Sequence, residues 1–216
     1  MRPFAIPPPG PALASPLGPT LPARTAGVYP GHLVTTWPLG LDHSITVRPI
    51  RADDDTLVAT FVHRLSADSR YNRFLGGGTA LSPAMLARFT DLDYVRDMAY
   101  VATTFLEGEE TLIGVARYMG LDDGHTAEFA VTVADDWQGR GIGSRLLRHL
   151  LEHARQAGLE RLTGDVLATN QPMLHMLRSL GFRIGAHPEG ATLRHAEIAP
   201  PALPAPGHAR ADKPLQ

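Results

Sequence analysis

Three glycines at alternate positions, Gly139, Gly141 and Gly143, lie between a strand pattern and a strongly amphipathic helical pattern. The first N–H groups of a helix have no partner inside that helix, and they carry a partial positive charge from the aligned peptide dipoles. Glycine lets the backbone approach a bound anion closely because it has no Cβ atom. The segment therefore predicts a phosphate or pyrophosphate site at the start of this helix.

Other phosphate-binding loops do not fit this segment. The dinucleotide pattern G-x-G-x-x-G would need glycine at position 144 or 146, where the chain has Ser144 and Leu146. The nucleoside-triphosphate loop needs a lysine, and the only lysine of the chain is Lys213. An ordinary glycine-rich turn is the remaining alternative. It would carry a cost of about 0.5–1 kcal/mol for each glycine relative to alanine, which favours a functional reason for them.

Composition limits the classes of protein to which the chain can belong. Its 216 residues, 44% of them hydrophobic, fit one globular domain with flanks. A net charge of -2 disfavours a nucleic-acid partner. No apolar run approaches the roughly 20 residues that cross a bilayer, so no membrane partner is expected. The lack of cysteine excludes a thiolate nucleophile and cysteine-ligated zinc, and the lack of a signal-peptide pattern predicts a cytoplasmic location.

Proline-rich segments flank the predicted domain on both sides. Residues 1–42 are a Pro/Gly/Ala-rich leader, and residues 199–216 are a similar tail. Such segments cannot bury enough apolar surface to offset the entropy lost on ordering, so both are predicted to be disordered. The folded domain is then expected at residues 43–198, which is an ordinary domain size.

Strand and helix patterns alternate within residues 43–198. Alternating or continuously apolar runs predict strands, and apolar residues at i, i+4 and i+8 predict helices. Together they predict an α/β or α+β domain with a mixed sheet. Strands are expected at residues 44–50, 98–106, 111–120, 126–133 and 162–168 and in one or two stretches after 182. Helices are expected at residues 53–65, from residue 82, and at 141–157 and 171–180.

Two motifs resemble those of a known enzyme family. Residues 138–143 match the Q/R-x-x-G-x-G/A motif of the GNAT acetyltransferases, and Asn170 with the run at 180–182 matches a later segment of that family. The resemblance covers residues 44–186. It implies a GNAT-like fold, in which a mixed, mostly antiparallel central sheet is flanked by helices and splayed strands hold acetyl-CoA.

More narrowly, the chain is similar to bacterial protein-lysine acetyltransferases, whose catalytic domain is often fused to an acyl-CoA-synthetase-like region. The segments that carry this similarity are residues 65–74, 85–90, 114–118 and 127–131. The similarity implies an N-acetyltransferase that modifies a lysine on a protein substrate. An acyl-CoA synthetase is among the partners that it suggests.

The family resemblance also assigns the contacts of acetyl-CoA, and it implies no metal. The pantetheine arm is expected along the preceding strand, bonded to the main chain of Val131 and Val133, with Asn170 on its other side. Both valines equally suit a core strand, and Asn170 equally suits a helix N-cap. The pyrophosphate is expected on the N–H groups of Gln138, Gly139, Arg140, Gly141, Ile142, Gly143 and Ser144.

Glu128 is the expected general base. An amine must lose its proton before it attacks a thioester, and a lysine amine has a reference pKa of about 10.4. Strand alternation places Glu128 on the face opposite Phe129, and Glu128 matches the base of the lysine-acetylating relatives. Partial burial beside Phe129 and Trp137 would raise its pKa toward neutrality. A solvated strand carboxylate is the alternative.

Leu177 departs from the common pattern of the family. Many relatives have a tyrosine at this position, which protonates the leaving thiolate. A thiol with a reference pKa of about 8.5 can leave without a strong acid. We therefore expect protonation by solvent and no dedicated general acid.

The acceptor is expected to bind beside residues 69–74. Tyr71 and Phe74 would pack against the aliphatic part of a lysine side chain, and Arg70 and Arg73 would bind acidic groups of the acceptor. Tyr71 and Phe74 would equally suit a hydrophobic core, since they are three residues apart.

Three other functions remain open from the sequence. Residues 149–153 match the H-x-x-E-H motif of zinc proteases, although the solvated side of the cofactor helix would explain them equally well. A non-catalytic acyl-CoA sensor would keep the loop without the base. The third is a GNAT enzyme whose acceptor is a small amine or a protein N-terminus.

Overall fold

An eight-stranded sheet with helices on both faces runs through the part of the chain that the structure describes. This structure is a computed structural model, and it describes residues 27–39, 43–74 and 81–200. The strands are β1 (Thr35–Leu39), β2 (His43–Pro49), β3 (Asp97–Leu106), β4 (Glu109–Gly120), β5 (Thr126–Val133), β6 (Arg161–Leu167), β7 (Arg183–His187) and β8 (Gly190–Ile198). The helices are α1 (Asp55–Arg64), α2 (Ala67–Phe74), α3 (Pro83–Thr90), α4 (Ile142–Gln156) and α5 (Gln171–Ser179).

The sheet has one parallel pair of strands in its middle. The strand order is β1-β2-β3-β4-β5-β6-β8-β7, and every neighbouring pair except β5 and β6 is antiparallel. This confirms the mixed sheet that the sequence patterns predict and the mostly antiparallel pairing that the family resemblance implies. β5 pairs with β6 from Thr126 to Glu128, but with β4 as far as Val133, and β6 pairs with β8 as far as Leu167. The two central strands therefore part beyond Glu128.

Helix α4 closes one face of the sheet with the apolar stripe that the sequence predicts. Each leucine or isoleucine of the stripe contributes roughly 1.5–3 kcal/mol by leaving water. The stripe packs in one cluster with the rings of Phe129 and Phe182, whose centroids are 4.8 Å apart. The buried residues of α4 are Ile142, Gly143, Leu146, Leu147, Leu150, Leu151 and Ala154.

Helices α1 and α3 cover the other face of the sheet. Their core cluster includes Ile50, Phe61 and Leu92. Helix α3 begins where the sequence predicts, because Oγ of Ser82 accepts the N–H of Met85 at 3.2 Å. Within residues 27–39, 43–74 and 81–200, no helix combines the length and the apolar character that crossing a membrane requires.

The predicted domain start at residue 43 was wrong. Strand β1 lies inside the predicted leader of residues 1–42 and pairs with β2 at the edge of the sheet. Trp37 is 9% exposed there, and the guanidinium of Arg145 stacks 4.2 Å from a ring centroid of Trp37. An edge strand tolerates Pro38, so the proline content of this segment was misleading. The rest of the predicted leader, residues 1–26 and 40–42, and residues 201–216 of the predicted tail lie outside the described residues.

Helix α2 is the other element that the sequence patterns did not predict. It follows α1 after Leu65 and Ser66, and it has no fully buried residue, so no apolar stripe marks it. Ser66 is its N-cap, since Oγ of Ser66 accepts the N–H of Ser69 at 3.1 Å. The helix packs beside β5.

Candidate active site

A cavity of about 820 Å³ opens where β5 and β6 part. Its walls come from α2, the end of β5, the glycine-rich loop, β6 and the start of α5. Among the predicted site residues, Arg70, Phe74 and Arg140 do not line the cavity. Those that line it are Tyr71, Arg73, Glu128, Val131, Val133, Gln138, Gly139, Gly141, Ile142, Gly143, Ser144 and Asn170.

The three alternating glycines meet two different requirements. Gly139 and Gly141 have φ angles of +73° and +80°, a region that residues with a Cβ atom rarely adopt. A Cβ atom at either position would meet open space, so the backbone of the loop is uncovered there. A Cβ atom at Gly143 would instead lie 3.2 Å from Sδ of Met176 and 3.4 Å from Cγ2 of Val133. The loop thus joins an open backbone to a tightly packed helix start.

The free edge of β5 presents main-chain groups to the cavity. The N–H of Ala134 donates to the carbonyl oxygen of Ile113, on the β4 side, at 2.9 Å. Because backbone groups alternate along a strand, the N–H groups of Val133 and Val131 turn toward β6. The carbonyl oxygen of Val133 accepts from Nε2 of Gln138 at 3.1 Å on that same side. The gap therefore offers an edge with which an extended ligand can pair.

Two predicted cofactor residues have structural contacts of their own. Oδ1 of Asn170 accepts the N–H of Met173 at 3.2 Å, so this residue caps α5 and also lines the cavity. The guanidinium of Arg140 lies 5.0 Å from a ring centroid of Trp137, outside the cavity lining. A contribution of Arg140 to an anion site would therefore come from its backbone N–H.

Glu128 lines the cavity at the last position of β5 that pairs with β6. Partial burial and the negative charge of Asp165 raise the pKa of Glu128, and the positive charge of Arg73 opposes part of this rise. A carboxylate with a raised pKa accepts a proton more readily near neutral pH, which suits a general base.

Arg73 brings a cation to the same cavity from α2. Its guanidinium stacks on Phe74 and Phe89, at 5.1 and 6.0 Å from their ring centroids. Burial lowers the pKa of Arg73, and the carboxylate of Glu128 opposes that change. A guanidinium stays protonated in proteins, so the cavity holds a fixed positive charge beside its carboxylates.

The other predicted acceptor residues divide between the cavity and the core. Tyr71 lines the cavity and is 57% exposed. Phe74 packs against the core cluster under α1 and α3 and does not line the cavity. Arg70 donates to the carbonyl oxygen of Leu65 and, at 3.4 Å, to that of His63, which engages it with the end of α1.

Asp165 is a cavity residue that the sequence reasoning missed. It lies two residues beyond Thr163, the register partner of Glu128, and therefore on the same face of the sheet as Glu128. Nδ1 of His195 lies 2.9 Å from one carboxylate oxygen of Asp165, and Nε2 of His187 lies 3.2 Å from the other. Only the register of β5 against β6 reveals this neighbour, and no local sequence motif encodes that register.

The H-x-x-E-H residues of α4 have partners within the protein. Nδ1 of His153 lies 3.0 Å from the hydroxyl oxygen of Tyr118, and the ring of His149 packs 5.7 Å from that of Tyr100. Glu152 forms an ion pair one turn along the helix. These contacts give the motif a structural role, but both histidines pack toward the sheet, so they do not lie on the solvated side of the helix as the sequence predicts.

Known proteins of one family match the chain. The sequence profile of the Acetyltransferase (GNAT) family matches residues 61–182. An acetyltransferase of Pseudomonas aeruginosa is 36% identical over 158 residues, which cover 72% of this chain and 85% of that protein. The acetyltransferase Pat of Mycolicibacterium smegmatis is 29% identical over 157 residues. That match covers 71% of this chain and 46% of Pat, so the chain spans less than half of this relative.

A solved structure shares the architecture. The GNAT domain of S. lividans PAT aligns with a TM-score of 0.70 at 28% identity, over 80% of this chain and 99% of that domain. The family profile and the Pseudomonas relative both cover more than half of the chain. The chain therefore belongs to the GNAT family of acetyltransferases.

Proposed function

We propose that this protein transfers an acetyl group from acetyl-CoA to a primary amine, with a protein lysine side chain as the acceptor. One observation carries the proposal: the open helix start, the free edge of β5 and the carboxylate of Glu128 share a single cavity. An anion site, an extended groove and a base are the parts that acetyl transfer from a coenzyme A thioester requires. The proposed location is the cytoplasm.

The cavity has a place for each part of acetyl-CoA. The diphosphate fits the N–H groups of residues 138–144, where Gly139 and Gly141 leave the backbone uncovered. The pantetheine arm fits along β5 as an added strand, paired with the main chain of Val131 and Val133. The side-chain amide nitrogen of Asn170 donates from the opposite wall, because the helix cap uses the oxygen.

The reaction is a direct transfer. Glu128 takes a proton from the acceptor ammonium, directly or through one water molecule. The neutral nitrogen attacks the thioester carbonyl carbon, and a main-chain N–H of β5 stabilises the oxyanion that develops. Collapse of this intermediate breaks the carbon–sulfur bond, and the nitrogen releases its second proton to water. The side chain of Leu177 has no proton to donate, so the thiolate that leaves takes its proton from solvent.

Two classes of acceptor fit the wall that α2 forms. A lysine side chain lies against Tyr71, and the similarity of residues 65–74 to lysine-acetylating enzymes favours this class, with an acyl-CoA synthetase as a candidate protein. Arg73 favours a second class, acceptors that carry a carboxylate next to the amine. The reason is that a fixed cation beside Glu128 attracts a carboxylate. An α-amino acid, or a lysine with an acidic neighbour, would place its amine near Glu128 and its carboxylate near Arg73.

A panel of acceptors tests the proposal. Release of coenzyme A is measured with lysine peptides with and without an acidic neighbour, free amino acids, polyamines and acyl-CoA synthetases, and mass spectrometry locates the acetyl group. We expect turnover with a lysine acceptor, and faster turnover when a carboxylate is adjacent. Coenzyme A binding without turnover of any amine would instead support the acyl-CoA sensor.

The variant Glu128→Gln separates catalysis from cofactor binding. Glutamine keeps the shape of the side chain but cannot take the proton, so kcat should fall about 10²–10⁴-fold. Calorimetry should show unchanged affinity for coenzyme A. Glu109→Gln, at an exposed position of β4 outside the cavity lining, is the matched control and should keep full activity. Full turnover by Glu128→Gln would show that another group removes the proton.

A further inference from the structure

One carboxylate holds the start of α2. Asp135 follows β5 in a short 3-10 turn at Asp135–Trp137. Its Oδ2 accepts the backbone N–H of Ser66 at 2.9 Å, and its Oδ1 accepts the hydroxyl groups of Ser66 and Ser69, each at 2.7 Å. These bonds fall on the N-cap and the first turn of the helix that forms the acceptor wall of the cavity.

The same cluster of hydrogen bonds continues into the cofactor loop. Nε2 of Gln138, the first residue of that loop, donates to Oγ of Ser69 at 3.2 Å and to the carbonyl oxygen of Val133 at 3.1 Å. A continuous chain of hydrogen bonds therefore runs from the free edge of β5, through Gln138 and Ser69, to Asp135.

Packing alone gives α2 few restraints. The helix has no fully buried residue, and its hydrophobic contact comes from Phe74 at its last position. Hydrogen bonds to an ionised oxygen are among the strong ones in proteins. Partial burial of Asp135 opposes its ionisation, but the bonds from Ser66 and Ser69 outweigh this and lower its pKa. The ionised carboxylate is therefore a main restraint on the position of the helix.

We propose that Asp135 is a positioning residue that couples the occupied cofactor loop to the acceptor wall. Coenzyme A on the loop restrains Gln138 and the turn, and Asp135 passes this restraint to Ser66 and the first turn of α2. Tyr71 and Arg73 are then held where the acceptor binds. The inference rests on the proposed function, because it takes coenzyme A as the ligand of the loop.

Hydrogen exchange on the full-length protein tests the coupling without any acceptor. Coenzyme A should slow amide exchange both in the loop and in residues 67–74 of the wild type. In Asp135→Asn and in Ser69→Ala, coenzyme A should still protect the loop but should protect α2 much less. Asp136→Asn is the matched control, because this neighbouring exposed carboxylate makes none of the bonds to Ser66 or Ser69. It should behave as the wild type does.

Kinetics with an acceptor from the panel supply a readout that a merely structural role would not change. The KM for the acceptor at saturating acetyl-CoA should rise roughly 5–150-fold in Asp135→Asn, while the Kd of coenzyme A measured without acceptor and the melting temperature stay near their wild-type values. Unchanged protection of α2 in Asp135→Asn would overturn the coupling but not the proposed function. A lower melting temperature together with weaker binding of coenzyme A in the absence of acceptor would also overturn it. Failure of the wild type to bind coenzyme A would instead overturn the proposed function.

Discussion

Burial and two neighbours of opposite charge shift the pKa of Glu128. Partial burial and Asp165, on the adjacent strand, raise it, and Arg73, on α2, lowers it. Neither neighbour is close to Glu128 in the chain, so the strength of the base depends on the register of one strand pair and on the position of one helix. Changes at either residue should therefore move the pH dependence of catalysis without removing the base.

Replacing Asp165 with asparagine removes a negative charge near Glu128. The pKa of Glu128 should then fall toward its ordinary value, so the base stays deprotonated at lower pH. The acidic limb of the kcat/KM profile should move to lower pH, whereas Arg73→Gln should move it to higher pH because a cation is lost. Initial rates across the acidic range measure both shifts. A shift of the acidic limb in the same direction in both variants would contradict this electrostatic account.

Alanine substitutions at Gly139 and Gly124 distinguish the effect of backbone strain from the effect of ligand contact. Both glycines have a φ angle of +73°, and a Cβ atom at either would meet open space. Alanine should therefore cost roughly 1–2 kcal/mol of folding free energy at each position, measured by urea denaturation. Gly139→Ala alone adds a methyl group at the loop, so it alone should weaken coenzyme A binding, by about tenfold or more in calorimetry. Equal affinities in the two variants would count against the loop as the diphosphate site.

The loop residues could be predicted from the sequence because their chemistry is local. Unpaired N–H groups at a helix start and glycines before it are encoded within seven consecutive residues, 138–144. Asp165 and Asp135 could not be identified in this way. The neighbours of Asp165 come from strand register, and the partners of Asp135 lie 66 and 69 residues earlier in the chain. The spacing of Phe74 from Tyr71 fits both an acceptor contact and core packing. Only the fold shows that Phe74 packs against the second core cluster.

Strand β1 shows why the start of the domain could not be predicted. It is an edge strand that contains a proline, and such a strand needs only one paired neighbour and one buried side chain to belong to the sheet. Composition alone assigned this segment to the leader. Helix α2 could not be predicted for a related reason. It has no apolar stripe, and hydrogen bonds to Asp135 hold its start instead.

Trp37 tests whether β1 belongs to the cooperative unit of the domain. Its ring is buried in the same cluster as the apolar face of α4, so Trp37→Ala should lower the free energy of unfolding by about 3–5 kcal/mol. Val28→Ala, at a position that is 94% exposed, should change it by less than about 0.5 kcal/mol. Urea unfolding measures both variants. Equally small effects would mean that the domain unfolds without involving β1.

The parting of β5 and β6 leaves an incomplete region inside an otherwise continuous sheet. Main-chain groups of β5 that have no partner strand face the gap, and the uncovered backbone of the loop lies at its end. An extended ligand with a diphosphate at one end satisfies both sets of groups at once, which neither half of the ligand does alone. Cofactor binding should therefore stabilise the whole molecule.

Thermal unfolding with coenzyme A tests this last expectation. A ligand that binds only the folded state at 100 times its Kd adds about 2.7 kcal/mol, or roughly 5–10 °C in Tm for a domain of this size. Pantetheine lacks the diphosphate, so it should give a much smaller shift at the same concentration. Gly139→Ala should reduce the shift with coenzyme A but not the shift with pantetheine, because its methyl group affects only the loop. Equal shifts from the two ligands would mean that the strand edge, and not the helix start, supplies most of the binding free energy.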